Sequence, residues 1–148
     1  MNLKEVINSD FKEAFKAGDA MAKSVISMLK SAIKNKEIDN KGLELSDEQV
    51  IEIISSEVKK RKESAKQYRE GGREDLAKNE EDELAVLMKY MPQQLSEEEI
   101  TELVKKAISD TGAESAQDLG KVMAVLKDAT KGKADGSLVA KIVKESLA

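Results

Sequence analysis

The residues of this chain best suited to do chemistry are lysines, and the chemistry they offer is the holding of phosphate. Residues 115–148 carry six lysines (121, 127, 131, 133, 141 and 144) against four acids, whereas residues 97–114 carry six acids and two lysines. Lys131 and Lys133 flank Gly132 in a predicted loop leading to Asp135, a good helix N-cap. A basic, glycine-bearing loop before a helix start brings backbone N–H groups, the positive end of a helix dipole and ammonium groups together. That is how proteins cradle phosphate. The plainer reading is a turn and a cap, since glycine and lysine are common where helices end.

A second basic group lies earlier. Lys59, Lys62, Lys66 and Arg69 step by three, four and three, which lines them along one face of a helix. Residues 59–73 hold seven bases and two acids, a stripe able to track a nucleic-acid backbone. However, Gly71-Gly72 should turn the next helix back antiparallel and set the acidic stretch from Glu74 to Glu83 beside the stripe. Bases at one helix C-terminus and acids at the next N-terminus also suit the two dipoles. Pairing within the hairpin is therefore the expectation.

Covalent and acid–base catalysis have little to work with. The sequence has no His and no Cys, which removes the commonest general base, thiol nucleophiles, disulfides and thiolate metal sites. Ser–Lys, lysine or carboxylate chemistry would remain. No G-x-S-x-G elbow and no phosphate-binding P-loop is present to frame it. Ser24 precedes Lys30 and Lys34, a spacing that recurs by chance in any lysine-rich helix. Glu80, Glu81, Asp82 and Glu83 lie on a charged helix without an apolar shield and read as a solvated face. No loop geometry there suits magnesium. No catalytic residue is assigned, and neither a metal nor a cofactor is expected.

The elements that must position these charges are helices. Formal charge is −4 and charged residues make up 36% of the chain, so any nucleic-acid or acidic-membrane contact must use a local patch. Phe11, Phe15, Tyr68 and Tyr90 are the only aromatics, which leaves an aliphatic core. No apolar run reaches transmembrane length and the first turns carry acids, so a cytoplasmic address and no membrane partner are expected.

Apolar residues recur at helical spacing from Leu3 to Phe15 with Gly18 as a stop, and from Ala22 to Ile33 after an N-cap at Asp19. Ser46 with Gln49 forms a capping box that opens a longer helix, which runs to Gly71-Gly72. A fourth stripe runs from Leu76 to Met91 and is ended by Pro92. Three shorter helices follow, opened by Ser96 with Glu99, by Ser115 and by Asp135. The fold class is all-α: an N-terminal helical region with a long-helix hairpin over residues 1–92, then a small three-helix domain over residues 93–148.

Three motifs then resemble one family. Tyr90-Met91-Pro92-Gln93-Gln94-Leu95-Ser96-Glu97-Glu98-Glu99-Ile100, Gly120-Lys121-Val122-Met123 and Lys131-Gly132-Lys133-Ala134-Asp135-Gly136 look like the YqeY family, and the segments 25–33 and 57–64 agree in style and order. The resemblance covers nearly the whole chain. It implies an all-helical protein whose C-terminal part is similar to the tail of GatB, a subunit of the glutamine-dependent aminoacyl-tRNA amidotransferase. In that complex the catalytic machinery lies elsewhere and the tail helps to hold tRNA. Carried over, the nucleic-acid contact is expected at Lys121, Lys131, Gly132, Lys133 and Lys141.

Ala124 departs from the glycine expected after the second motif, and Lys127 stands near an expected apolar or proline position. Tight helix crossing at Gly120 and loop capping at Gly132 and Gly136 are the structural alternatives for those motifs. The implied partners are tRNA or a protein of the translation or amidotransferase machinery. The rival reading is a protein-interaction module without nucleic-acid binding. Carbon–nitrogen ligase activity with glutamine as amide donor comes third, because it follows from the resemblance and the residues give it no support.

Overall fold

A computed structural model describes residues 2–148. Among these it shows seven α-helices and no strand: α1 Leu3–Ala17, α2 Ala20–Asp39, α3 Asp47–Glu70, α4 Glu74–Met88, α5 Glu97–Thr111, α6 Leu119–Thr130 and α7 Gly136–Leu147. The all-α class read from periodicity and composition is the observed one. The chain divides into two compact units, Met1–Met91 and Pro92–Ala148.

In the first unit, α1, α2 and α3 start where the sequence supplies an oxygen for orphan N–H groups, whereas α4 starts after Arg73 without a side-chain cap. Asn2 accepts from the Glu5 N–H at 2.9 Å while Glu5 accepts from the Asn2 N–H at 3.2 Å. Asp19 accepts from Ala22, and Ser46 with Gln49 forms the box that opens α3. Gly18 ends α1 in the left-handed region at φ 69°, where a side chain would be strained.

The buried apolar residues are Ile, Leu, Val and Ala throughout, with Ile7, Leu29, Ile54 and Leu87 the largest of the fully buried side chains in this unit. Each such aliphatic side chain contributes about 1.5–3 kcal/mol on burial. Phe11 and Tyr90 pack at the edge of this cluster instead of its centre. α3 and α4 form the most extensive helix pair.

The fourth helix is shorter than its stripe. α4 ends at Met88, and the Tyr90 and Met91 N–H groups close tighter turns onto Leu87 and Met88 at 3.1 and 3.2 Å. The physical reason is Pro92, which disfavours helical geometry in the residue before it, so the chain unwinds through i→i−3 turns. Within that turn the Tyr90 hydroxyl donates to Asp10 Oδ2 at 2.6 Å, tying the end of the unit back to α1.

In the second unit, Ile100, Val104, Val122, Val139 and Val143 are fully buried between α5, α6 and α7. Ser96 and Glu99 cap α5 reciprocally, and Gly112 ends it at φ 66°. Ser115 opens a single 3-10 turn, Ala116–Asp118, and α6 begins only at Leu119. The cause is Asp118, whose Oδ2 accepts from the Glu114 and Ser115 N–H groups at 2.9 and 3.4 Å and holds the tight turn. Those two backbone donors, with a smaller contribution from Lys121, hold the Asp118 carboxyl below its ordinary range.

Candidate nucleic-acid interface

The loop from Lys131 to Asp135 joins α6 to α7, with Gly132 in the left-handed region at φ 73°. Its backbone is heavily engaged. The N–H groups of Lys131, Lys133 and Ala134 donate to the Lys127 and Thr130 carbonyls at 2.9–3.0 Å. Its carbonyls serve the segment that enters the unit: Leu95 N–H donates to Lys133 O at 2.9 Å, and Gln94 Nε2 donates to Gly132 O at 2.9 Å. Asp135 accepts from Ser137 N–H at 3.0 Å and places a carboxylate at the start of α7.

The cradle of free backbone donors expected from the sequence is thus largely occupied by the fold itself. What this loop presents to an anion is its side-chain ammonium groups. Lys131 and Lys133 are both exposed there.

The remaining lysines are spread out. Lys121 is exposed near the start of α6, ten residues before Lys131, which sets the two about 15 Å apart along the helix axis. Lys141 is exposed midway along α7. Lys121, Lys133 and Lys141 make no ion pair among the described residues. Charges so distributed do not converge on one phosphate. They suit successive phosphates of a polyanion, each contact displacing counterions.

The glycines also distinguish themselves. A Cβ placed on Gly120 or on Gly136 would meet nothing within 4 Å, so the structural alternative for Gly120, a tight helix crossing, is absent. α6 turns that position to open space.

The stripe on α3 behaves differently. Arg69 binds Glu74 through Nε and Nη2 at 2.9 and 2.8 Å and reaches Glu81 at 2.6 Å. Those two carboxylates, Glu74 first, raise the Arg69 pKa further above its ordinary value. Pairing across the hairpin therefore occurs, but selectively. Lys59, Lys62 and Lys66 have no ion pair among the described residues, and Lys62 and Lys66 border a shallow groove of about 640 Å³ floored by Ala65 and Leu84.

The central cross-hairpin contact belongs to a residue outside the stripe. Arg61 is 7% exposed, with Nη1 2.9 Å from Glu57 Oε2 and Nε 3.4 Å from Glu83 Oε2. Counting bases missed it. Its position three residues after Val58 and four before Ala65, both buried, was the available signal.

A helical chain capped at its motif serine, Ser96, with a three-helix unit closing on the Lys131–Gly136 loop, fits the sequence motifs. The profile of the family described as Yqey-like protein matches residues 4–147. The chain belongs to that family.

Curated relatives agree in sequence. The chain is 36% identical over 106 residues to "Altered inheritance of mitochondria protein 41, mitochondrial" of Vanderwaltozyma polyspora, covering 70% of this chain and 57% of that protein. The protein of the same name from Saccharomyces cerevisiae is 35% identical over 105 residues, again 70% and 57% of the two chains. The one from Lachancea thermotolerans is 34% identical over 87 residues, 59% and 46%. The match thus spans little more than half the length of these relatives. Among the described residues, no helix is long and apolar enough to cross a membrane, and no group of three or more acids could hold a metal ion.

Proposed function

We propose that this YqeY-family chain is a non-catalytic, tRNA-associated helper, related to the tail of the glutamine-dependent amidotransferase, that contacts tRNA phosphate through C-terminal lysines. The observation that carries it is the set of exposed ammonium groups at Lys121, Lys133 and Lys141, none in an ion pair among the described residues. Lys131 is also exposed at the loop, and Gly132 allows the turn there. The first unit serves as scaffold. The proposed location is the cytoplasm, and the names of the yeast relatives make the mitochondrion the alternative that fractionation would decide.

A salt titration of tRNA binding tests the function. Binding should weaken steeply with salt and be lost mainly in Lys131→Ala/Lys133→Ala, with Lys62→Ala/Lys66→Ala close to wild type. The absence of binding at low salt would end the proposal. Loss mainly in the second variant would move the site to α3.

The second reading, a protein-interaction module, is favoured by one feature. Phe15, Met21, Met28, Ile38, Leu43 and Tyr68 are exposed in the first unit, against Val125 alone among large apolar residues in the second. Nuclease-resistant capture of a translation or amidotransferase protein, with no tRNA binding by the purified chain, would select it.

A further inference from the structure

A groove of about 460 Å³ runs between α1 and α2, within the usual size of small-ligand sites. Its floor is apolar: Ile7 and Ile33 are buried, and the Phe11 ring lies beside them. Its walls are polar. Ser27, Lys30, Ser31 and Lys34 recur at helical spacing along one face of α2, and Asn8 faces them from α1.

The side chains of Asn8, Ser27, Ser31 and Lys34 have no hydrogen bond or ion pair among the described residues. The Lys30 ammonium sits 4.3 Å from the Phe11 ring centroid with no carboxylate partner. The carboxylate lining the groove, Glu37, is already held by Lys4 Nζ at 2.8 and 2.9 Å and by the Leu45 N–H at 3.2 Å. Lys4 and Glu37 cancel, and the charges of Lys30 and Lys34 remain.

We propose that this groove binds a nucleotide unit, its base on the apolar floor and its phosphate against Lys30 and Lys34. An apolar floor alone would suit any hydrophobe, and two unpaired cations any anion. The three neutral groups between them, two hydroxyls and an amide, select a body with polar edges, which a base and ribose have and an alkyl carboxylate lacks. Lys30 can exchange its cation–π contact for the phosphate, and the ring face it leaves becomes a platform for the base. The nucleotide comes either from a free mononucleotide or from an unpaired residue of an RNA strand. The inference is independent of the C-terminal lysines.

The test follows backbone amide shifts of the full chain on adding AMP or UMP, the matching nucleosides, inorganic phosphate, and a single-stranded RNA trinucleotide. Nucleotide should move the amides of Asn8, Ser27 and Ser31. Lys30→Ala/Lys34→Ala should weaken that response by at least about tenfold, as expected when charge-assisted contacts are lost. Phe11→Leu should weaken it while leaving the unliganded spectrum folded, and Lys131→Ala/Lys133→Ala should leave it unchanged.

A response to mononucleotide identifies a free nucleotide as the source, and a response to the trinucleotide alone identifies a strand. The proposal is overturned if no probe moves these amides, if phosphate alone binds as well as nucleotide, or if nucleoside does. Mononucleotide binding without tRNA binding would sink the tail reading and leave this one standing.

Discussion

The two units differ in the cations they carry. All three arginines, Arg61, Arg69 and Arg73, lie on the α3–α4 hairpin or its turn, and each is paired with a carboxylate. The second unit has no arginine, and of its lysines Lys121, Lys127, Lys133, Lys141 and Lys144 make no ion pair among the described residues. A guanidinium gives a planar, preorganised fork that fixes two elements against each other, while an ammonium on a flexible stem holds no fixed geometry. The difference separates charge used to build the fold from charge left available to a partner.

The largest test of that comparison is Arg61→Ala. A charge at 7% exposure, held by Glu57 and Glu83, leaves those two part-exposed carboxylates without their shared guanidinium when removed. The expected loss is about 3 kcal/mol in chemical denaturation of the full chain. A loss below about 1 kcal/mol would place Arg61 among the surface pairs and blur the contrast.

Next comes Tyr90, whose hydroxyl closes the first unit on Asp10. Tyr90→Phe should cost about 1.5 kcal/mol, because the acceptor is a part-buried carboxylate. Burial first, and Asp10 second, push the phenol above its ordinary 10.0. The folded state therefore holds its proton more tightly than the unfolded chain. The corresponding stability is fully present below pH 10 and is lost as pH rises beyond it towards the folded value. An alkaline unfolding series should show that decline in the wild type and a flatter curve in Tyr90→Phe.

The lysine side of the comparison is sharpened by Lys121→Ala/Lys141→Ala. If both touch tRNA phosphate, the slope of log affinity against log salt should fall by about one for each lysine. Their removal should leave thermal stability within about 0.5 kcal/mol, since neither holds the fold. A large stability loss would show that these lysines build the unit instead.

Much of the fold was legible because its signals are local. Asp19, Ser46 and Ser96 cap helices through side chains one turn away, and the stripes from Leu3 to Phe15 and from Ala22 to Ile33, which contain the buried Ile7 and Leu29, need only a period of 3.6. What was not legible depends on partners distant in sequence. Arg61 is buried because Glu83 and Met28 come to it from other helices. The loop donors at Lys131, Lys133 and Ala134 are occupied because α6 ends in a turn that folds them onto its own carbonyls, a detail that Gly-Lys spacing does not encode. The α1–α2 groove joins Asn8 to Ser27 and Ser31, residues unremarkable in either helix alone.

Arg69 is the smallest and most discriminating test. It has the same chemistry as Arg61 and the same number of carboxylate partners, both from α4, but its side chain is 47% exposed. If arginine itself made the pairing structural, Arg69→Ala would cost as much as Arg61→Ala. If burial decides, water and salt already screen the Arg69 pairs, and the cost should be a small fraction of that at Arg61. Raising the ionic strength separates the two further. The Arg69 contribution should shrink towards zero in molar salt, whereas the Arg61 contribution, shielded from ions, should persist. Equal salt sensitivity at both positions would mean that the hairpin charges act as one surface network, and that burial does not set Arg61 apart from Arg69.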